Sequence, residues 1–264
     1  MTKERQGVFG EAVEQYQTAR PGYPDDLVTD VLTYAGPVER ALEVGAGTGK
    51  ATVSFAQRGV NLTCLEPDPR MAAELARQTE RFPSVNVVGA SLETWEPKET
   101  YDLLLAAQSW HWVDETSRWD LAHAALKPGG AMALFWNVYA LTDPLTQDLL
   151  LDIDHRYEVD ELGHTPSERP FHDFEGEIEL VEGWPAFDLQ NDARFTEFVS
   201  RRYRRELPFS TSLYLDFLSS LSAYRIIDDD QRSALLRDVA DVLNGQGGSV
   251  TIGIATDLFM SRSH

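Results

Sequence analysis

Between Arg40 and Asn137, short apolar runs alternate with stretches of helical periodicity, as in a parallel sheet whose strands are joined by crossover helices. Ala41-Leu42-Glu43-Val44 reads as the first strand and closes on Gly45-Ala46-Gly47-Thr48-Gly49. A helix is predicted from Lys50 to Arg58, with Gly59 as its C-terminal stop. Asn61 to Leu65 forms a second strand ending at Glu66, after which Asp68 supplies an N-cap and Pro69 the first helical position. Met71, Ala72, Leu75 and Ala76 give that helix its apolar side. Val85 to Val88 makes a third strand, and the leucine-rich run Tyr101 to Ala107 a fourth, buried on both faces. Asp114 caps a helix running to Leu126, Lys127-Pro128-Gly129-Gly130 is a turn, and Ala131 to Trp136 is the fifth strand.

The remainder has a different rhythm. Phe195 to Leu207 predicts one long strand, Ser210 or Thr211 opens a helix through Tyr224, and a second helix follows from Asp229 to Asn244. Gly245-Gln246-Gly247-Gly248 breaks into a last strand, Val250 to Phe259. Two late strands extend the sheet edge as an antiparallel pair. Thr142 to Ala193 is acidic and aromatic-rich, helix-like from Asp143 to Glu161 and irregular after Leu162. It is expected to be a cap inserted over the carboxyl ends of the strands. A single domain is expected, with residues 1–37 as lid helices, 38–140 as core, 142–193 as cap and 195–262 completing the sheet.

Composition narrows the function classes. The 42% hydrophobic and 25% charged fractions over 264 residues are those of an ordinary soluble protein. Runs such as Leu103-Leu104-Leu105-Ala106-Ala107 fall short of the ~20 residues of a membrane span, and the charged start Met1-Thr2-Lys3-Glu4-Arg5-Gln6 leads into no signal-peptide core. Cys64 is the only cysteine, which excludes an intrachain disulfide or a cysteine metal cluster. A cytoplasmic location without membrane contact is the default. A net charge of −20 disfavours nucleic acid as a partner. The candidate patch Arg201-Arg202-Tyr203-Arg204-Arg205 alternates between the two faces of a strand. His155, His164 and His172 follow no metal spacing, so no metal is expected.

The loop between the first strand and the first helix carries the chemistry. Its glycines allow a sharp turn and a close approach to a ligand, at the crevice where such sheets bind their ligands. A dinucleotide fingerprint has glycine at relative positions one, three and six; here Gly45, Gly47 and Gly49 stand at one, three and five, and Lys50 at six. Glu43 is poorly suited to a phosphate but can hold a ligand's ammonium, directly or through water, and Glu66 can accept both hydroxyls of a ribose. Both acids favour a cationic nucleoside without phosphates, a description that S-adenosylmethionine fits.

Leu42-Glu43-Val44-Gly45-Ala46-Gly47-Thr48-Gly49, the acid Glu66 and Leu126-Lys127-Pro128-Gly129-Gly130 resemble the class I S-adenosylmethionine-dependent methyltransferases. The resemblance is closest to the small-molecule group related to ubiquinone-biosynthesis and trans-aconitate methyltransferases. It covers residues 38 to 140 and extends more loosely to Phe9-Gly10, Tyr16, Arg20, Pro21, Gly22, Tyr23 and Pro24. It implies an α/β fold: a Rossmann-like, doubly wound seven-stranded sheet, mostly parallel with an antiparallel C-terminal edge pair. It further implies that Gly45, Ala46 and Gly47 pass under the methionine part of the cofactor and that Glu66 binds the ribose. Pro67, Asp68, Ser91 and Leu92 would lie beside the adenine, and Ala107 and Gln108 would line the pocket. Tyr16 and Arg20 would fold over the cofactor as a lid, an arginine–carboxylate contact competing with a surface salt bridge for Arg20. The family often has Asp or Asn followed by an acid after the third strand. Gly89-Ala90-Ser91-Leu92-Glu93 departs from this, so the adenine amino contact would fall to Ser91 or to backbone groups.

Methyl transfer from a sulfonium needs alignment and exclusion of water more than a catalytic side chain, and a base only where the acceptor keeps its proton. In Gln108-Ser109-Trp110-His111-Trp112, His111 is the candidate base, or else a residue that packs between tryptophans. Trp110 and Trp112 are candidates for contact with a substrate or the sulfonium, or for the core. The expected function is methyl transfer to a small organic acceptor. A non-catalytic cofactor-binding protein and a nucleotide-dependent oxidoreductase are the alternatives, and oligomeric state is not readable.

Overall fold

The computed structural model describes residues 17–264. The described chain divides into two compact units, one comprising Gly22–Trp136, Ile178–Arg202 and Thr256–His264, the other residues 17–21, Asn137–Glu177 and Tyr203–Ala255. The expected cap is therefore split: its residues up to Glu177 belong to the second unit and those from Ile178 to the first.

The first unit is organised by a seven-stranded sheet in the order β3-β2-β1-β4-β5-β7-β6. Its strands are β1 (Arg40–Val44), β2 (Asn61–Leu65), β3 (Val85–Val88), β4 (Tyr101–Ala107), β5 (Leu126–Leu141), β6 (Phe195–Ser210) and β7 (Ser249–Ser263). β1 pairs in parallel with both β2 and β4, Leu42 lying opposite Thr63 on one side and Leu104 on the other. β2 pairs in parallel with β3, and β4 with β5. The C-terminal pair is antiparallel, as expected. β5, β6 and β7 are long enough that each contributes residues to both units. Helices α1 (Asp25–Ala35), α2 (Lys50–Ala56), α3 (Pro69–Thr79) and α4 (Arg118–Ala125) join or precede these strands.

Local chemistry explains the connections. Asp68 accepts hydrogen bonds from the amides of Arg70 and Met71, and Pro69 opens α3, whose buried residues Met71, Leu75 and Thr79 recur every four positions. The expected turn at Lys127–Gly130 is instead a bulge inside β5: Tyr101 faces Leu126 and Leu103 faces Ala131, leaving four residues opposite one. The core contains Leu42, Val44, Leu104, Ala106, Leu134 and Trp110, joined by Ala186 and Leu189 of α6 (Pro185–Asn191) from the segment expected to be irregular.

The second unit carries α5 (Pro144–Arg156), α7 (Thr211–Ser220), α8 (Ser222–Ile226) and α9 (Asp229–Gly245). Ile153, Tyr214, Phe217, Tyr224, Val239 and Ile252 are among its core residues. The single helix expected from Ser210 or Thr211 through Tyr224 is broken at Leu221, which is extended (φ −80°, ψ 138°).

Candidate active site

In the first unit β1 lies between β2 and β4, so strand order reverses between β1 and β4, and ligands bind at the carboxyl ends beside such a reversal. Two segments leave the sheet there, residues 45–49 after β1 and 108–112 after β4.

The glycine loop is turned by left-handed backbone at Gly45 (φ 66°), Gly47 (φ 58°) and Gly49 (φ 92°), a region that side chains disfavour. A Cβ on Gly45 would lie 2.5 Å from the Ser109 Cβ, and one on Gly49 would lie 2.7 Å from a Leu75 methyl. At Gly47 nothing stands nearer than the Met71 sulfur at 3.9 Å. The amides of Ala46, Gly47 and Gly49 donate to the Leu65 carbonyl (3.0 Å), Glu66 Oε2 (2.7 Å) and the Ala46 carbonyl (3.0 Å). Those three amides are engaged inside the protein and do not form the converging N–H groups of a phosphate cradle.

The Glu66 carboxylate accepts one backbone amide on each oxygen, Gly47 on Oε2 and Asp68 (2.9 Å) on Oε1. Burial raises its pKa while these two amides oppose the shift. A carboxylate offers about four acceptor sites, so each oxygen keeps capacity for one hydroxyl of a diol. The residue is 6% exposed. Pro67 beside it is exposed, and Asp68 caps α3 while pairing with Arg70, which holds its carboxyl below the usual range.

Glu43 faces into the protein. It is 1% exposed, receives the Thr52 hydroxyl at 2.6 Å and has the Cys64 thiol at 3.7 Å. Burial pushes its pKa up to about 7, and burial with the nearby Glu43 raises the Cys64 thiol. From there it braces α2 against β1 and β2.

Beyond β3, the Ser91 hydroxyl lies 3.3 Å from that of Thr94, and the Ser91 carbonyl accepts the Trp95 amide. Leu92 is a core side chain, 2% exposed, so only its backbone is available beside an adenine. Ala107 ends β4 opposite Phe135. Gln108 then adopts φ 61° while donating its amide to the Phe135 carbonyl at 2.9 Å. A left-handed non-glycine residue at the end of a central strand is the kind of strain that collects at functional sites. Ser109 donates its hydroxyl to the Val44 carbonyl, and this tie joins the glycine loop to the segment after β4.

Trp110 is fully buried against Trp119 and belongs to the core. His111 and Trp112 are half-buried. The Trp136 indole N–H donates to His111 Nδ1 at 3.1 Å, which places the proton of the neutral imidazole on Nε2. The His111 ring stands 4.7 Å from Trp112 and stacks at 5.7 Å and 22° on Trp184, whose ring is 5.4 Å from that of Trp136. Sequence reading singled out neither Ser109, Trp136 nor Trp184. Ser109 needs the β1–β4 register to be seen, and Trp184 is 73 positions from His111 in an acidic stretch without periodicity.

In the second unit, Arg20 directs Nε to the Ser220 hydroxyl (2.8 Å) and Nη2 to the Ser220 carbonyl (2.9 Å), over the rings of Tyr139 and Phe217. It thus ties down the last residue of α7. Tyr16 lies outside the described residues. The arginines of β6 are engaged by acids: Arg201 by Asp30, Arg202 by Asp257 and Arg204 by Glu175. Among the described residues no group of three or more His, Cys, Asp or Glu could hold a metal ion, and no helix is long and apolar enough to cross a membrane.

Residues 41–130 match the family model of a methyltransferase domain. An uncharacterized methyltransferase of Mycobacterium tuberculosis is 35% identical over 129 residues, 49% of this chain and 51% of that protein. Trans-aconitate 2-methyltransferase of Rhizobium leguminosarum bv. trifolii is 33% identical over 100 residues, 37% of this chain and 38% of that protein. The chain spans about half the length of the first of these curated relatives. Among solved structures, one described as a type II methyltransferase from Anaeromyxobacter dehalogenans superposes with a TM-score of 0.63 at 19% identity, over 92% of this chain and 97% of that one. Phosphoethanolamine N-methyltransferase 2 of Haemonchus contortus, with S-adenosylhomocysteine bound, gives 0.55 at 12% identity, over 98% of this chain and 58% of that one. Residues 41–130 are thus similar to a methyltransferase domain, and the chain shares the fold of these methyltransferase structures.

Proposed function

We propose that this chain binds S-adenosylmethionine at the carboxyl ends of β1, β2 and β4 and transfers its methyl group to a small organic acceptor. The observation that carries the reading is the coupling of the glycine loop to Glu66. The loop's amides at 46, 47 and 49 are engaged internally, and a carboxylate with capacity for a diol stands where a pyrophosphate would be repelled. That donor set fits a nucleoside without phosphates and disfavours a dinucleotide.

When bound, S-adenosylmethionine supplies an electrophilic methyl on a sulfonium, and a bond from the acceptor to that carbon forms as the carbon–sulfur bond breaks, the electron pair leaving on sulfur. The residues do the positioning. Gly45, Ala46 and Gly47 admit the methionine portion close to backbone, Glu66 holds the ribose, and Pro67, Ser91 and the backbone of Leu92 flank the adenine. Ala107 and Gln108 form the wall towards the acceptor, held at a fixed distance from the loop by Ser109. His111 serves as a hydrogen-bond donor through Nε2 and orients the acceptor side, because its other nitrogen is occupied by Trp136. Of the two roles that the sequence leaves open for His111, this takes the packing one and not the base: the acceptor's own lone pair does the attacking, and a proton, where there is one, leaves to solvent.

The test is turnover. Purified protein incubated with S-adenosylmethionine and a panel of small amines, phenols and carboxylic acids should release S-adenosylhomocysteine in an acceptor-dependent manner, read by chromatography. Tight cofactor binding without release for any acceptor would favour the non-catalytic cofactor-binding protein instead.

A further inference from the structure

The chemistry on the acceptor side narrows the substrate class. Three segments of the first unit meet there: His111 and Trp112 after β4, Trp136 in β5, and Trp184 at the head of α6. Each ring lies within 6.4 Å of at least one other in a connected cluster, His111 touching Trp112, Trp136 and Trp184. The cluster adjoins the cofactor loop, because Ser109, two residues before His111, contacts Val44 and fills the space over Gly45.

What the segments carry matters as much as the rings. From Gln108 through Ser117, from Pro128 through Trp136 and from Ile178 through Ala193 there is no lysine or arginine. Arg118, the first basic residue beyond these stretches at the site, is 3% exposed and pairs with Asp188 at 2.7 Å. Asp114, Glu115, Glu179 and Glu182 lie in the same segments. A carboxylate or phosphate acceptor desolvated against these rings would find no opposing charge from the segments that build the site, and burying an unpaired charge is costly. A cationic or amine group finds the reverse: indole faces attract cations, and the acidic background of a chain with net charge −20 concentrates them.

We propose that the methyl acceptor is an amine nitrogen whose substituents rest on the half-buried Trp112 and Trp184 rings, backed by the buried Trp136, and not a carboxylate oxygen. The inference rests on the methyltransferase reading above. In the step, the neutral amine's lone pair forms the nitrogen–carbon bond as the carbon–sulfur bond breaks. The charge passes from sulfonium to the product ammonium, which stays over the rings until it dissociates, and any remaining N–H proton is lost to water.

The test uses three probes of equal shape and different charge: choline, its neutral isostere 3,3-dimethylbutan-1-ol, and 3,3-dimethylbutanoate. Each is titrated by calorimetry into protein saturated with S-adenosylhomocysteine, whose uncharged sulfur leaves the rings without a competing cation. Choline should bind about tenfold tighter than the neutral isostere, and the carboxylate weakest. Trp184→Leu should remove the preference and Trp184→Phe retain part of it, both binding S-adenosylhomocysteine as the wild type does. Equal affinities, a preference for the carboxylate or no choline binding would overturn the amine assignment. So would a Trp184 variant that weakens S-adenosylmethionine but leaves S-adenosylhomocysteine and choline unchanged, since the rings would then serve the sulfonium. Failure of S-adenosylhomocysteine itself to bind would strike the methyltransferase reading, a result distinct from any of these.

Discussion

The indole nitrogen of Trp136 donates to Nδ1 of His111 across 3.1 Å. That bond fixes the imidazole tautomer and so separates two roles that the sequence leaves open. A general base contributes about 10²–10⁴ in rate and imprints its titration on the pH profile. With Nδ1 occupied and the proton on Nε2, His111→Ala should lower kcat less than about 100-fold and leave the shape of the kcat/KM profile between pH 6 and 8 unchanged. A thousandfold loss together with a lost acidic limb would make His111 the base after all.

The glycine loop offers a comparison at nearly equal backbone strain. Gly45 and Gly47 have φ of 66° and 58°, but only at Gly45 does a Cβ meet a neighbour, Ser109, at 2.5 Å. Gly47→Ala carries the left-handed cost of roughly 1–2 kcal/mol. Gly45→Ala adds the clash and should lower the midpoint of denaturant unfolding further. Gly47→Ala, although the more stable variant, should still weaken S-adenosylmethionine, because its methyl enters open space beside the loop. Chemical denaturation and calorimetry on the two proteins check both orderings.

Two buried carboxyls predict how stability follows pH. Glu43 is raised from 4.5 to about 7, and Asp154 from 3.8 to about 6, in each case by burial first. Asp154 sits among neutral donors, with the Tyr224 hydroxyl at 2.9 Å and the Ser167 hydroxyl close by. For acids raised on folding, the stabilisation is full below the unfolded pKa and is lost as pH rises through the folded one. The wild type should therefore lose, relative to Glu43→Gln/Asp154→Asn, stability on the order of 2–3 kcal/mol per group between about pH 4 and 7. Thermal midpoints of both proteins across that range, compared as a difference, cancel the opposing contribution of surface carboxyls such as Asp68. A difference independent of pH contradicts the placement of these two groups.

How much of this was legible depends on the range of the interaction that decides each element. The path from β1 through the glycine loop, α2, β2, Glu66 and the Asp68-Pro69 start of α3 is written in caps, glycines and periodicity, all within a few residues, and it stands as read. The bulge in β5 is set by pairing with β4, so its Lys-Pro-Gly-Gly run reads as a turn on its own. No glycine or proline marks the break at Leu221; the Ser220 carbonyl is satisfied by Arg20, 200 positions away. Glu43 reads in sequence only as an acid beside a glycine loop, with no mark of which way it faces. Only the packing of Thr52 and Cys64 shows it facing in. The Trp184–His111 stack is likewise a tertiary fact, carried by a segment with no period to betray α6.

The central claim is that the loop and Glu66 form a site for S-adenosylmethionine. Calorimetric titration of the purified protein with S-adenosylmethionine and, separately, NADH, repeated on Glu66→Ala, tests it most directly. Micromolar binding of S-adenosylmethionine alone, weakened at least tenfold in the variant by loss of a charge-assisted bond pair, is the expected result. Binding of NADH, or S-adenosylmethionine affinity indifferent to Glu66, would contradict it.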